Sequence, residues 1–146
     1  MLGAMKAGFL AKFALVIAIL ILPAVAVAAI GQGQWKGRII DERGSTVTFR
    51  VKSATRAVNF KAGPVTVLCG IFPYSRLETR TVVVPRMKIN GNQIAGTKTY
   101  RDRQGEYIGQ AAMRGKRAAG GKIRGTILYD DADCSGEEKF VAQRRG

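Results

Sequence analysis

At 146 residues the chain has the length of one domain, and with no histidine it lacks any Ser-His or Cys-His nucleophile pair and any imidazole metal ligand. Its formal net charge of +14, from 24 basic and 10 acidic side chains, favours anionic partners over cationic ones. The two cysteines lack Cys-x-x-Cys spacing, which argues against a dithiol redox motif.

Residues 1–29 read as an export signal peptide, expected as an N-terminal hydrophobic helix. Lys6 and Lys12 supply a positive leader, residues 13–22 an unbroken apolar run, and Pro23 precedes Ala-Val-Ala-Val-Ala-Ala. Cleavage could follow Ala26, Ala28 or Ala29, and no cysteine stands at the junction for lipid attachment. The alternative is an uncleaved segment spanning the membrane over residues 13–30, near the lower length limit for a span. Either way residues 30–146 form a single β-domain that is secreted or held in the cell envelope. Cys69 and Cys134, 65 positions apart, are then most simply one disulfide. By loop-closure entropy such a crosslink is worth about 4 kcal/mol.

From Gln34 onward the pattern is strand, turn, strand. Trp35, Gly37 and Ile39 alternate with Lys36, Arg38 and Ile40, and a turn follows at residues 41–45. Val47, Phe49 and Val51 alternate with Thr46, Thr48, Arg50 and Lys52, a half-buried strand. A short segment around Val58 and Phe60 leads to a turn expected at Gly63-Pro64, after which Val65, Val67 and Cys69 share a face. Residues 76–84 read as a further strand, with Arg80, Arg86 and Lys88 expected on an outer face. Asn90-Gly91 is the strongest hairpin signal. Residues 107–113 return, residues 114–121 read as a basic glycine-bounded connection, and Ile123, Gly125, Ile127 and Tyr129 fall on one face of the next strand. A weak echo of Ile94-Ala-Gly-Thr in Ile108-Gly-Gln-Ala and Ile123-Arg-Gly-Thr fits a meander whose small residues let strands curve or a facing side chain pack over them. The expected fold is all-β, an antiparallel meander of about nine short strands closed as a barrel or folded as a sandwich.

Gly120-Gly121-Lys122-Ile123-Arg124-Gly125-Thr126, then Cys134-Ser135-Gly136, then Phe140-Val141-Ala142-Gln143-Arg144 resemble a group of small exported actinobacterial β-rich proteins. The likeness covers residues 34–145 in layout. It implies export and a β-fold, and brings no activity and no functional residues.

Chemistry is sparse. Asp41-Glu42, Asp102, Glu106 and the acids of residues 130–138 are expected as local turn residues rather than a catalytic pair, so no enzyme, no cofactor and no metal is expected. Asp131-x-Asp133-x-Ser135-Gly136 matches the first half of a calcium loop, but its twelfth position is Ala142 and not a bidentate glutamate. Charge is the stronger signal: residues 30–129 hold 19 basic and 5 acidic side chains, and residues 130–138 hold five acids and no base. Arg114, Lys116, Arg117, Lys122 and Arg124 are expected to form a basic tip for polyanions. Tyr100 and Tyr107 are the only aromatics near the bases, too few for specific nucleic-acid recognition. An anionic cell-wall polymer or glycan is therefore the expected partner, with membrane contact only through an uncleaved signal. A second reading makes Ile71, Phe72 and Tyr74, around Pro73, a loop presented to a protein partner, as in an inhibitor. Against that, Ile71 and Phe72 are expected to cap the core beside the disulfide. A third reading, a barrel carrying a small ligand, requires a cavity, for which Gly109, Ala111 and Ala112 leave room.

Overall fold

The computed structural model describes residues 28–146, so the signal expected at residues 1–29 lies outside the described residues except for Ala28 and Ala29. Eight antiparallel strands follow in chain order: β1 (Gly33–Ile39), β2 (Thr46–Ser53), β3 (Arg56–Cys69), β4 (Arg76–Asn90), β5 (Gln93–Arg101), β6 (Tyr107–Arg117), β7 (Ile123–Asp131) and β8 (Cys134–Arg144). Each pairs with the next, and β1 closes on β8, so the meander is a barrel and not a sandwich.

Alternation sends one side chain in two to the interior. Trp35 stacks on Phe49 at 5.8 Å between ring centroids, Phe49 meets Phe60 at 6.1 Å, and Phe60 meets the edge of Phe140 at 5.7 Å, an aromatic spine crossing four strands. Ile39, Val47, Val65, Ile94, Met113, Ile123 and Ile127 pack around it, all fully buried. Glycine makes room for this spine. A Cβ on Gly125 would lie 2.6 Å from the Phe140 ring, and one on Gly115, its cross-strand partner, 3.4 Å from the same ring. Of the glycines in the sequence echo, Gly125 therefore has Phe140 packed over it, whereas Gly96 faces Met87 and Val84 and Gly109 faces Asp131.

Three boundaries differ from the sequence reading. Gly63-Pro64 does not turn the chain: β3 runs straight through it, with one extra residue opposite β4 between Ala62 and Val65. A bulge accommodates the proline, which has no N–H for the ladder. β4 likewise runs past Pro85, so the strands number eight and not nine. Residues 114–117 belong to β6, and the chain turns only afterwards through a short 3-10 segment, Ala119–Gly121. The hairpin expected at Asn90-Gly91 forms, with Gly91 and Asn92 as the two residues between the paired Asn90 and Gln93.

Closure is uneven. β8 pairs with β1 through its C-terminal half, while its first residues reach past the short β1 to the end of β3, where Leu68 pairs with Ser135 and Cys69 with Cys134. The Cys69–Cys134 disulfide crosslinks this seam, with 4.0 Å between Cα atoms. Such bonds form and persist in oxidising compartments. Among strands consecutive in the chain, β4 and β5 share the shortest ladder, three pairs, Lys88↔Ala95, Ile89↔Ile94 and Asn90↔Gln93.

Candidate polyanion-binding face

Because β6 continues to Arg117, Arg114 and Lys116 are outward strand positions, not loop residues. On β7, Arg124 points the same way, with Lys122 just before the strand. The register sets Lys116 directly opposite Arg124 and Arg114 opposite Thr126. Like charges directly opposite across an antiparallel pair cost roughly 0.2–1 kcal/mol. Both side chains are exposed, and the ion pairs among the described residues are Arg76–Glu78 and Arg80–Glu78, so neither cation has a carboxylate partner there.

Barrel closure then adds bases from the two ends of the chain. Arg38 on β1 and Arg124 on β7 both lie opposite Val141 of β8, so Arg38, Val141, Arg124 and Lys116 form one row across four strands. Neighbouring strands are about 4.8 Å apart. Lys36 opposite Gln143 flanks the row on one side, and Lys139 opposite Thr126 on the other. A hollow of about 380 Å³ opens between β1 and β8, floored by Gly37, Val141 and Ala142 and rimmed by Lys36, Arg38, Lys122, Gln143 and Arg145. A second, of about 290 Å³, lies between Arg114, Lys116 and Arg124. No carboxylate lines either one.

Thus Arg114, Lys116, Lys122 and Arg124 come together as expected, on a sheet face and not at a tip. Arg117 does not join them. It occupies an inward position at the end of β6, where its guanidinium donates to the carbonyl of Ala29. Lys36, Arg38, Lys139 and Arg145 escaped the sequence reading. Alternation in Trp35-Lys36-Gly37-Arg38 marks two of them as outward, but only the β1–β8 register places them here.

The opposite end of the barrel carries the acids. Glu138 is partly buried there, and that burial, with Glu42 and Asp41 nearby, raises its carboxyl above the ordinary range. Asp131 serves its own turn: one oxygen accepts from the amides of Asp133 (2.9 Å) and Cys134 (2.7 Å), the other from the Tyr129 hydroxyl (2.6 Å). The Tyr129 hydrogen bond holds the Asp131 carboxyl below its usual range. Residues 134–144 continue as a straight strand and do not curl as the second half of a calcium loop would. Asp102 likewise caps its turn, accepting from the amides of Gln104 and Glu106 at 2.9 Å each.

Arg80 departs from the expected outer face. It points into the mouth of the barrel, 2.7 Å from Glu78, with its guanidinium 3.3 Å from the sulfur of Cys134. The reason is register: after the bulge, Arg80 shares the inward parity of Val82 and Val84. Tyr100 also turns inward, against Tyr129 at 6.2 Å, with the Lys98 ammonium over its ring at 5.1 Å from the centroid, so it does not join the outer cationic face.

Ile71, Phe72 and Tyr74 do not cap the core. They are 84%, 87% and 85% exposed at the tip of the β3–β4 hairpin, which carries them beyond the disulfide. Ala111 and Gly109 face inward, with Ala111 in the hydrophobic core, while Ala112 faces outward between Thr97 and Leu128. The chain matches no protein-family model, no curated protein and no solved structure.

Proposed function

We propose that the chain is an exported, non-enzymatic module that binds an anionic envelope polymer or acidic glycan along the outer face of β1, β8, β7 and β6. The supporting observation is the cationic row itself: Arg38, Arg124 and Lys116 lie abreast, flanked by Lys36, Lys122, Arg114 and Lys139, with Lys116 and Arg124 held opposite each other. A surface that served only solubility gains nothing from placing like charges in register, whereas an anionic chain laid across the strands neutralises them together. Lack of stacking surface favours a glycan or wall polymer over nucleic acid: Trp35 is buried, Tyr100 faces inward, and Tyr107 stands at the other end of the barrel.

The test is salt-gradient elution from heparin and from immobilised teichoic acid. A variant with Arg114, Lys116, Lys122 and Arg124 changed to Gln is compared with a charge-matched control in which Arg56, Lys61, Arg101 and Arg103 are changed instead. The face variant elutes at clearly lower salt. Equal elution of the two overturns the reading.

A second reading, an interaction loop at residues 70–75, draws support from the exposure of Ile71, Phe72 and Tyr74. Phe72→Ala would then abolish capture of a protein partner at unchanged melting temperature.

A further inference from the structure

The loose β4–β5 seam leaves one strand edge open. Over residues 76–86, β4 pairs with β3 alone, and β5 over residues 97–101 pairs with β6 alone. The barrel mouth between them is plugged by side chains: Arg80 is ion-paired with Glu78 and reaches the sulfur of Cys134, and Tyr129 packs on Tyr100. The interior is therefore filled without a ladder at this seam, and over residues 76–83 the outer edge of β4 has no ladder partner, whereas at Arg86 the β5 backbone at Gly96 comes close, where a Cβ would lie 2.5 Å from the Arg86 carbonyl oxygen.

Proteins commonly protect such edges with charged side chains. Here the charges Arg76, Glu78 and Arg80 share the inward parity, with Glu78 ion-paired to both arginines. The outward positions between Arg76 and Val84 are Leu77, Thr79, Thr81 and Val83, all uncharged in a chain of net charge +14. Leu77 is 72% exposed, and opposite it Leu68 is half exposed. This face continues into the apolar tip of Ile71, Phe72 and Tyr74.

We propose that this edge is an association surface for a second copy of the chain, paired antiparallel, β4 to β4, about a two-fold axis through Thr79. Charge selects the occupant and the register. Centred on Thr79, Glu78 of each copy lies opposite Arg80 of the other, Leu77 opposite Thr81, and Thr79 opposite itself. Centring on Glu78 or on Arg80 would oppose two identical charges, and centring on Thr81 would set Arg76 against Arg86. The matched register also carries the tip of each copy alongside Val83 and Pro85 of the other, covering exposed apolar surface on both. Such a contact is isologous and closes at two copies. It lies away from the cationic face, so a dimer would present two such faces to one polymer.

The experiment uses the purified, disulfide-bonded protein in light scattering coupled to gel filtration, from micromolar to millimolar concentration. A dimer is expected, and Thr79→Lys, which sets two lysines face to face on an exposed position, shifts it to monomer with no loss of thermal stability. Thr79→Cys crosslinks two copies through residue 79 under mild oxidation, mapped by peptide mass spectrometry without reduction, because directly opposed positions lie within disulfide reach. Thr81→Cys does not crosslink to itself, since its partner is Leu77. A monomer at every concentration overturns the proposal, as does a dimer that survives Thr79→Lys or crosslinks equally through residue 81.

Discussion

The β1–β8–β7–β6 side of the barrel and the β3–β4 hairpin are built by the same alternation, yet they present opposite surfaces. On the first side every strand has partners on both edges, and the outward positions toward one end carry Lys36, Arg38, Arg114, Lys116, Arg124 and Lys139 without carboxylate partners among the described residues. On the second, one edge is open over residues 76–83, and the outward positions are Leu, Thr and Val ending in an apolar tip. A closed ladder can carry a repulsive row of cations because its backbone hydrogen bonds and inward packing hold the strands in place. An open edge covered by outward like charges would be protected from pairing, and here the charges Arg76, Glu78 and Arg80 take the inward parity, leaving Leu77, Thr79, Thr81 and Val83 outward.

The largest expected effect breaks the join between the two regions. Changing Cys69 and Cys134 together to Ser removes the crosslink that holds the end of β3 to β8, and lowers stability by about 4 kcal/mol in urea unfolding, by loop-closure entropy. Against a typical total of about 5–15 kcal/mol, that is enough to loosen the hairpin first. Hydrogen exchange should show residues 65–80 losing protection before β6 and β7 do.

On the cationic side, Arg124→Gln weakens heparin binding about tenfold at 0.1 M salt and lowers the salt slope by about one, the signature of one lost anion contact. Lys116→Glu sharpens the comparison, because it exchanges a like-charge pair for an opposite one. Thermal unfolding should show a gain of roughly 0.2–1 kcal/mol while polymer affinity falls. If stability and affinity fall together, the row is a structural feature and not a binding face.

Acid sensitivity is assigned to the far end. The Asp131 carboxyl is held below its ordinary range in the folded state, chiefly by the Tyr129 hydroxyl, so its contribution is present above the ordinary carboxylate range and is lost as pH falls through the lower folded value. Glu138, raised by burial, works in the opposite sense and is relieved by protonation. Asp131→Asn should therefore flatten the fall in urea midpoint between neutral pH and strong acid. The smallest effect belongs to the tip: Phe72→Ala, 87% exposed, changes stability by no more than about 0.5 kcal/mol.

Much of the fold was legible because inward parity is a local property. Trp35, Phe49, Phe60 and Phe140, the period-two positions around them, and the Cys69–Cys134 pair all follow from residue type and spacing. Gly63-Pro64 misled because the same dipeptide suits a turn and a bulge, and only a partner strand running on past it distinguishes the two. Ile71 and Phe72 misled because apolar type alone does not tell whether a hairpin stops at the core or overshoots it.

What the amino-acid order determined by itself was the strand class, the disulfide, the excess of positive charge and its separation from the acids of residues 130–138. Barrel closure decided the rest. The register of β1 on β8 gathered Lys36 and Arg38 beside Arg124 from opposite ends of the chain, while the short β4–β5 ladder left an edge uncovered. Both depend on which strands meet and by how much they are offset, which is a property of non-local pairing that no window of neighbouring residues contains.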